Sequence, residues 1–263
     1  PMPPASPPAI VDLAETLASA SAPLSPMALA WRRFRRHRMA IFGSAVLGLL
    51  MLSAVVLTQS VGGIFIGLPA AAVAMLVLAY GRRAIPLLIV VAIVVAVSFG
   101  IAASQSDRFA RALDFTQGTN FYRIRVMQSA LQAISDRPLT GLGLDQFLYA
   151  FRDTYIYPDA WPEPNLSHPH NFLLDFWVRL GLGGAALSLG FVVVSLSLST
   201  YSVRVAQRTE FWNWVALGMS GAFVITFAHG LLDNSLFVID LVYIFFALLG
   251  IACWITARDQ DLS

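Results

Sequence analysis

The chain contains four histidines, and two of them, His168 and His170, flank Pro169 directly before Asn171 and a long apolar run. An imidazole with an ordinary pKa near ~6.5 can accept and return a proton at neutral pH. The position adds a second chemistry. Unpaired backbone N–H groups and the positive dipole end at a helix start favour an anion such as phosphate. A purely structural alternative stands beside it, in which Asn171 or a neighbour caps the helix and the histidines hydrogen-bond at the interface. A metal site is not expected, because a metal asks for three or four ligands and neither a cysteine nor a third histidine lies nearby in sequence.

Arg123 and Arg125 form the next candidate pair. Two residues apart on a helix they point in different directions, so one can face the bundle while the other faces solvent or headgroups. The rigid donor fork of arginine suits bidentate contact with phosphate, although two interfacial anchors would read the same way. Asp175 and Arg179 are four apart and are expected to pair on one helix face, since unpaired charges in an apolar span are costly. His229 and Asp233, followed by Asn234, sit where polar residues can line a site or close a bundle. Asp259 and Asp261 have the spacing of a metal-nucleotide pair but read as solvated charge.

These residues need elements to place them. Of 263 residues 57% are hydrophobic and 12% charged, against about 25% charged in a soluble domain. That balance excludes a soluble enzyme and a nucleic-acid binder. The net charge of +2 says little, and the basic residues are all arginine. The single Cys253 excludes an intrachain disulfide.

Apolar runs cover Met39 to Leu57, Gly62 to Tyr80, Ala84 to Ala103, Phe172 to Ser199, Trp212 to Ala228 and Leu236 to Ile255, each close to or above the roughly 20 residues that span a bilayer. The expected fold is an all-α polytopic membrane bundle of about six spans. Residues 1–30 read as a disordered tail rich in Pro, Ala and Ser, with a helical turn around Val11 to Leu17. Residues 31–57 form a basic anchor and first span, and residues 58–103 the second and third. The arginines before Met39 make a retained span rather than a cleaved signal. With that end cytoplasmic, Arg82, Arg83, Arg204, Arg208 and Arg258 also fall inside, which satisfies the positive-inside rule. Residues 104–170 then form a long periplasmic loop carrying the candidate site, residues 171–257 the fourth to sixth spans, and residues 258–263 a cytoplasmic tail.

Within the loop, Phe121 to Ser135 places Ile124, Met127, Leu131 and Ile134 at helical spacing. This amphipathic helix is expected on the membrane surface or against the bundle. Gly141-x-Gly143 forces a turn. The fourth span is too long for a bilayer core, so it either stands above the membrane or bends at Gly181-Leu182-Gly183-Gly184.

Several of these pieces, taken in order, resemble one family. Leu57-Thr58-Gln59-Ser60, Arg123-x-x-x-Met127, Asp136-Arg137-Pro138-Leu139-Thr140-Gly141-Leu142-Gly143, His168-Pro169-His170-Asn171-Phe172 and Gly181-x-Gly183-Gly184 are similar to motifs of the O-antigen ligase and polymerase superfamily, over about Val55 to Ala257. The resemblance implies a glycosyltransferase of the bacterial inner membrane that uses neither metal nor cofactor. Its donor would be an undecaprenyl-diphosphate-linked glycan. Its acceptor would be the lipid A core in a ligase or a second lipid-linked unit in a polymerase. It also implies that His170 is the general base or positions the acceptor, and that Arg123 steadies the diphosphate. Arg125, His168, Asn171, His229 and Asp233 are then candidates for substrate binding.

The chain departs from the family pattern at Val61, where arginine is common after Thr-x-Ser, and at Met127, where tryptophan is usual. Family members also carry more spans, so an N-terminal half is expected to be missing, and a helical partner may be needed to replace it. The segment Ser25 to Ala40 resembles instead the front of oligopeptide-type ABC transporter permeases, which implies a different origin for it. Two alternatives to an active transferase therefore remain: a non-catalytic member of the family, and a transporter permease fragment.

Overall fold

An apolar segment in hydrocarbon can satisfy its backbone polar groups only internally, so each long run folds as a helix. The computed structural model describes residues 26–206, 210–234 and 236–260, and no strand occurs among them. Helix α1 (Pro26–Arg36) is a short basic amphipathic helix, so residues 26–30 are helical rather than part of a disordered tail. Residues 1–25, with the helical turn expected near Val11, lie outside the described residues, as do Arg208 and Asp261. His37 separates α1 from α2 (Arg38–Leu57), with extended backbone and a ring Nδ1 that accepts the Ala40 N–H. No residue of α2 is buried.

Thr58-Gln59-Ser60 turns the chain by capping two helices. The Thr58 hydroxyl donates to the Val55 carbonyl at 2.6 Å and accepts the Ser60 N–H, while the Ser60 hydroxyl accepts the Gly63 N–H at 3.1 Å. A π-turn, Gly63–Gly67, leads into α3 (Leu68–Tyr80). Gly81, at φ +55°, stops α3, and a tight turn through Arg82 and Arg83 starts α4 (Ile85–Gln105). The rings of Phe65 and Phe99 meet edge to face at 5.1 Å, so α4 folds back along α3. Among the described residues five stretches are long and apolar enough to cross a membrane, against the six expected, because the second and third expected spans are joined in this 43-residue hairpin.

After a short helical turn, Asp107–Ala110, helix α5 (Gly118–Asp136) takes up the amphipathic segment. Its buried face is Val126, Ser129, Ala130, Ala133 and Ile134. Of the four apolar residues at helical spacing, Ile134 is buried, Met127 is half-buried, and Ile124 and Leu131 are exposed. The buried face is built mostly of small side chains. They let the backbone approach closely enough for the Ser129 hydroxyl to donate to the Tyr155 carbonyl at 2.7 Å, and Phe147, Phe151 and Val178 fill the same core.

Helix α6 (Phe172–Ala206) has 35 residues, roughly 52 Å if straight at about 1.5 Å per residue. It bends at Gly181, whose φ of +64° is non-helical. The Gly141-x-Gly143 turn packs into the bend. The Leu142 N–H donates to the Val178 carbonyl at 2.7 Å and the Gly143 N–H to the Arg179 carbonyl at 3.0 Å, so carbonyls freed by the break regain donors. The order of contacts fixes the bundle. Gly62 abuts His229, Gly67 abuts Ile225 and Gly221 abuts Met75, which makes α3 antiparallel to α7 (Glu210–Gly230). Phe176 meets Phe237 and Phe191 meets Phe245, so α8 (Ile239–Gln260) runs parallel to α6. His170, Gly62 and Asp233 consequently sit at one end of the bundle, and Arg35, Glu210 and Trp254 at the other.

Candidate active site

Two turns build the site, one entering α6 and one leaving α7. Pro169 is fully buried, and His170 follows it in the left-handed region at φ +51°, a conformation costly for a residue with a β-carbon. The next residue holds this turn in place. Asn171 Oδ1 accepts the N–H groups of Leu173 and Leu174, capping α6, and its Nδ2 donates to the Leu231 carbonyl. The amides that the sequence offers to an anion are thus taken by the helix's own cap. Across the gap, the His229 carbonyl accepts the N–H groups of Leu232 and Asp233 and closes the end of α7. That turn aims the Asp233 carboxylate at the histidines.

His170 Nδ1 lies 3.3 Å from Asp233 Oδ1, and His168 Nε2 lies 4.0 Å from the same oxygen. The two rings are edge to face at 4.3 Å. Burial alone would raise the Asp233 pKa, but the hydrogen bond to His170, the Asn234 N–H at 2.8 Å and the nearby histidines lower it to about 2. An ionised carboxylate can only accept, so His170 Nδ1 carries the donated proton, and in the neutral ring that tautomer puts the lone pair on Nε2. The His168 pKa is lowered, first by burial and then by the charge of His170. Its Nδ1 accepts the His170 N–H at 3.3 Å.

The sequence argument against a metal rested on the want of a third ligand nearby. The fold supplies one. His168, His170 and Asp233 bring a ligand-capable atom each within 4.8 Å of one another.

The two arginines have different surroundings. Arg125 is engaged, with Asp159 at 2.5 Å, Gln128 at 2.9 Å and the rings of Phe121 and Tyr157 about its guanidinium. The Nε of each is buried without a hydrogen bond, but Arg123 has no carboxylate partner among the described residues and its charge is felt at His168. Of the two, Arg123 is the cation left available at the site. His229 lies apart from the histidine pair, with its ring against Gly62. Val61 stands beside that glycine.

Asp175 and Arg179 pair as expected, at 2.7 Å, and both are buried. Two further residues complete the group. Asn234 donates to the other Asp175 oxygen, and Asp145 accepts from Arg179 at 2.6 Å. Since the Asn234 N–H also binds Asp233, a continuous polar chain links His170 to the charges inside α6. Asn234 was legible only as a polar neighbour of Asp233, and no sequence signal marks Asp145.

The O-antigen ligase family matches residues 46–189. That stretch covers more than half of the chain and includes the histidine pair, both arginines and the bend at Gly181. No curated protein and no solved structure matches the chain.

Proposed function

The chain belongs to the O-antigen ligase family, and from that premise we propose that it transfers a glycan from an undecaprenyl-diphosphate donor to a lipid-linked acceptor hydroxyl at the outer face of the bacterial inner membrane. The observation that carries this reading is the His170–Asp233 pair together with Arg123, whose charge reaches His168 and which has no carboxylate partner among the described residues.

His170 Nε2 takes the proton of the acceptor hydroxyl. The acceptor oxygen forms the new bond to the sugar's anomeric carbon while the bond from that carbon to the diphosphate oxygen breaks, and the electron pair leaves with the diphosphate. Arg123 meets the negative charge that gathers there. A base of this kind contributes about 10²- to 10⁴-fold, and a charge-assisted hydrogen bond to the leaving group about 1.5–3 kcal/mol. Asp233 fixes the histidine's orientation and stabilises it once protonated. Arg125, His168 and His229 line the approach for donor or acceptor. Asn171 serves structurally, since capping α6 uses its side-chain oxygen. The opposite end of the bundle, with its arginine-rich turns, faces the cytoplasm together with both termini.

The test supplies the full chain in vesicles with a labelled undecaprenyl-diphosphate glycan and, separately, lipid A core or a second lipid-linked unit. Product with the first acceptor identifies a ligase, with the second a polymerase. Intact donor with both, from protein whose fold is verified, contradicts the reading.

A further inference from the structure

At the end of the bundle remote from the histidines, α7 and α8 enclose an apolar groove of about 600 Å³. Phe211, Trp212, Gly250 and Trp254 line it, and the Trp212 and Trp254 rings lie 4.9 Å apart. A β-carbon at Gly250 would meet nothing within 4 Å, so the floor of the groove is open. Helix α1 abuts the wall of the groove at Phe211. Trp31 meets Phe211 at 5.8 Å and stacks on Phe34, and Arg35 pairs with Glu210 at 2.9 Å.

Among the described residues that ion pair leaves most of the positive charge of α1 uncompensated. Arg32, Arg33, Arg36 and Arg38 are exposed and have no carboxylate partner among the described residues. The indole Nε1 of Trp31 is buried with no hydrogen-bond acceptor, which a native structure seldom leaves unmet. An aromatic slot, an unsatisfied indole N–H beside it and a row of exposed guanidinium groups match one kind of molecule in both polarity and charge.

We propose that the groove and α1 together bind an anionic phospholipid of the adjoining leaflet, with an acyl chain between α7 and α8 and the phosphodiester against the α1 arginines. Basic segments beside a membrane helix draw anionic lipid, each arginine being worth about fivefold near the surface. Tryptophan suits the boundary where chain meets headgroup. The bound lipid holds α1 flat along the bundle and so fixes the entry angle of α2, whose own faces are unburied.

Native mass spectrometry of the full chain, released from mild detergent with added phosphatidylglycerol or phosphatidylcholine of identical chains, tests this. The wild type should retain phosphatidylglycerol at least about tenfold better, allowing for screening. R32Q/R33Q/R36Q should remove that preference, and R32K/R33K/R36K should keep it. Gly250→Leu, which fills the groove with the arginines intact, should lower retention of phosphatidylglycerol. Equal retention of the two lipids by the wild type overturns the proposal, as does full retention by Gly250→Leu. So does a lipid-free dimer that Gly250→Leu dissociates, since the groove would then be a contact between copies.

Discussion

Gly181 and Leu139 touch through their backbones: a β-carbon on Gly181 would lie 2.0 Å from the Leu139 carbonyl oxygen. Gly141 meets the same bend from the other side, 2.6 Å from the Gly181 nitrogen by the same measure. The loop that carries α5 and Arg123 is therefore fastened to the helix that His170 precedes, backbone against backbone, with no side chain between them.

Gly181→Ala should accordingly unseat this contact and lower the thermal midpoint in detergent by several degrees. The cost combines a positive φ with a clash against an immobile carbonyl. Gly183→Ala, where a β-carbon meets nothing within 4 Å, should be neutral or slightly stabilising. Similar melting of both variants would remove the bend as the fastening point.

The histidine pair sets a pH dependence of stability. The folded pKa of His168 is lowered, so the folded site favours the neutral ring. That contribution is complete above the unfolded value near ~6.5 and is lost as pH falls through the lower folded value. Asp233, held at about 2, contributes fully above its ordinary ~3.8 and fails only near pH 2. Melting curves should therefore weaken in two steps on acidification, and His168→Gln should erase the first. A first step that persists in His168→Gln belongs to another group.

Breaking the buried charge group should cost stability more than activity chemistry alone explains. Asn234→Leu removes the side-chain donor to the buried Asp175 carboxylate but keeps the backbone N–H that Asp233 accepts, and losing a hydrogen bond to a charged group typically costs about 1.5–3 kcal/mol. The measurement is the denaturation midpoint of Asn234→Leu beside Asp145→Asn, whose exposed carboxylate should matter far less. Equal losses would mean that the network is not anchored inside α6.

Topology is open to labelling. Single cysteines at Gln117, Glu163 and Arg82, all exposed, in a Cys253→Ser background should separate the two ends. The first two should react with an impermeant thiol reagent in intact spheroplasts and Arg82→Cys only after lysis. The reverse pattern would invert the chain in the membrane.

Val61 stands where the family pattern has arginine. Val61→Arg should raise affinity for undecaprenyl diphosphate by about 10-fold or more if it adds a charge-assisted bond, and Arg123→Ala should abolish the gain if both grip one diphosphate. Unchanged affinity in a well-folded sample would show that Val61 does not face the donor.

The legs of the bundle were readable because lipid forces a simple rule on about 20 residues at a time. The face of α5 that packs inward was not readable in the same way, because periodicity weighs bulk, whereas Ser129, Ala130 and Ala133 are small and buried. The site was half readable. Motif order marked His170 and Arg123, but the partnership of His170 with Asp233 joins positions 63 residues apart, and only the closing of α7 over the start of α6 creates it. That same closure supplies the third ligand-capable atom that local spacing lacked. Transfer undiminished by EDTA would exclude a required divalent ion at this cluster.

The central claim is that His170 Nε2, oriented by Asp233, takes the acceptor's proton. Its most direct test is the single-turnover rate of glycan transfer by wild type and His170→Ala at saturating donor and acceptor, with insertion and melting point matched. The account predicts a fall of about 10²- to 10⁴-fold, with donor affinity unchanged and a milder loss for His168→Ala. Equal rates for wild type and His170→Ala would contradict it.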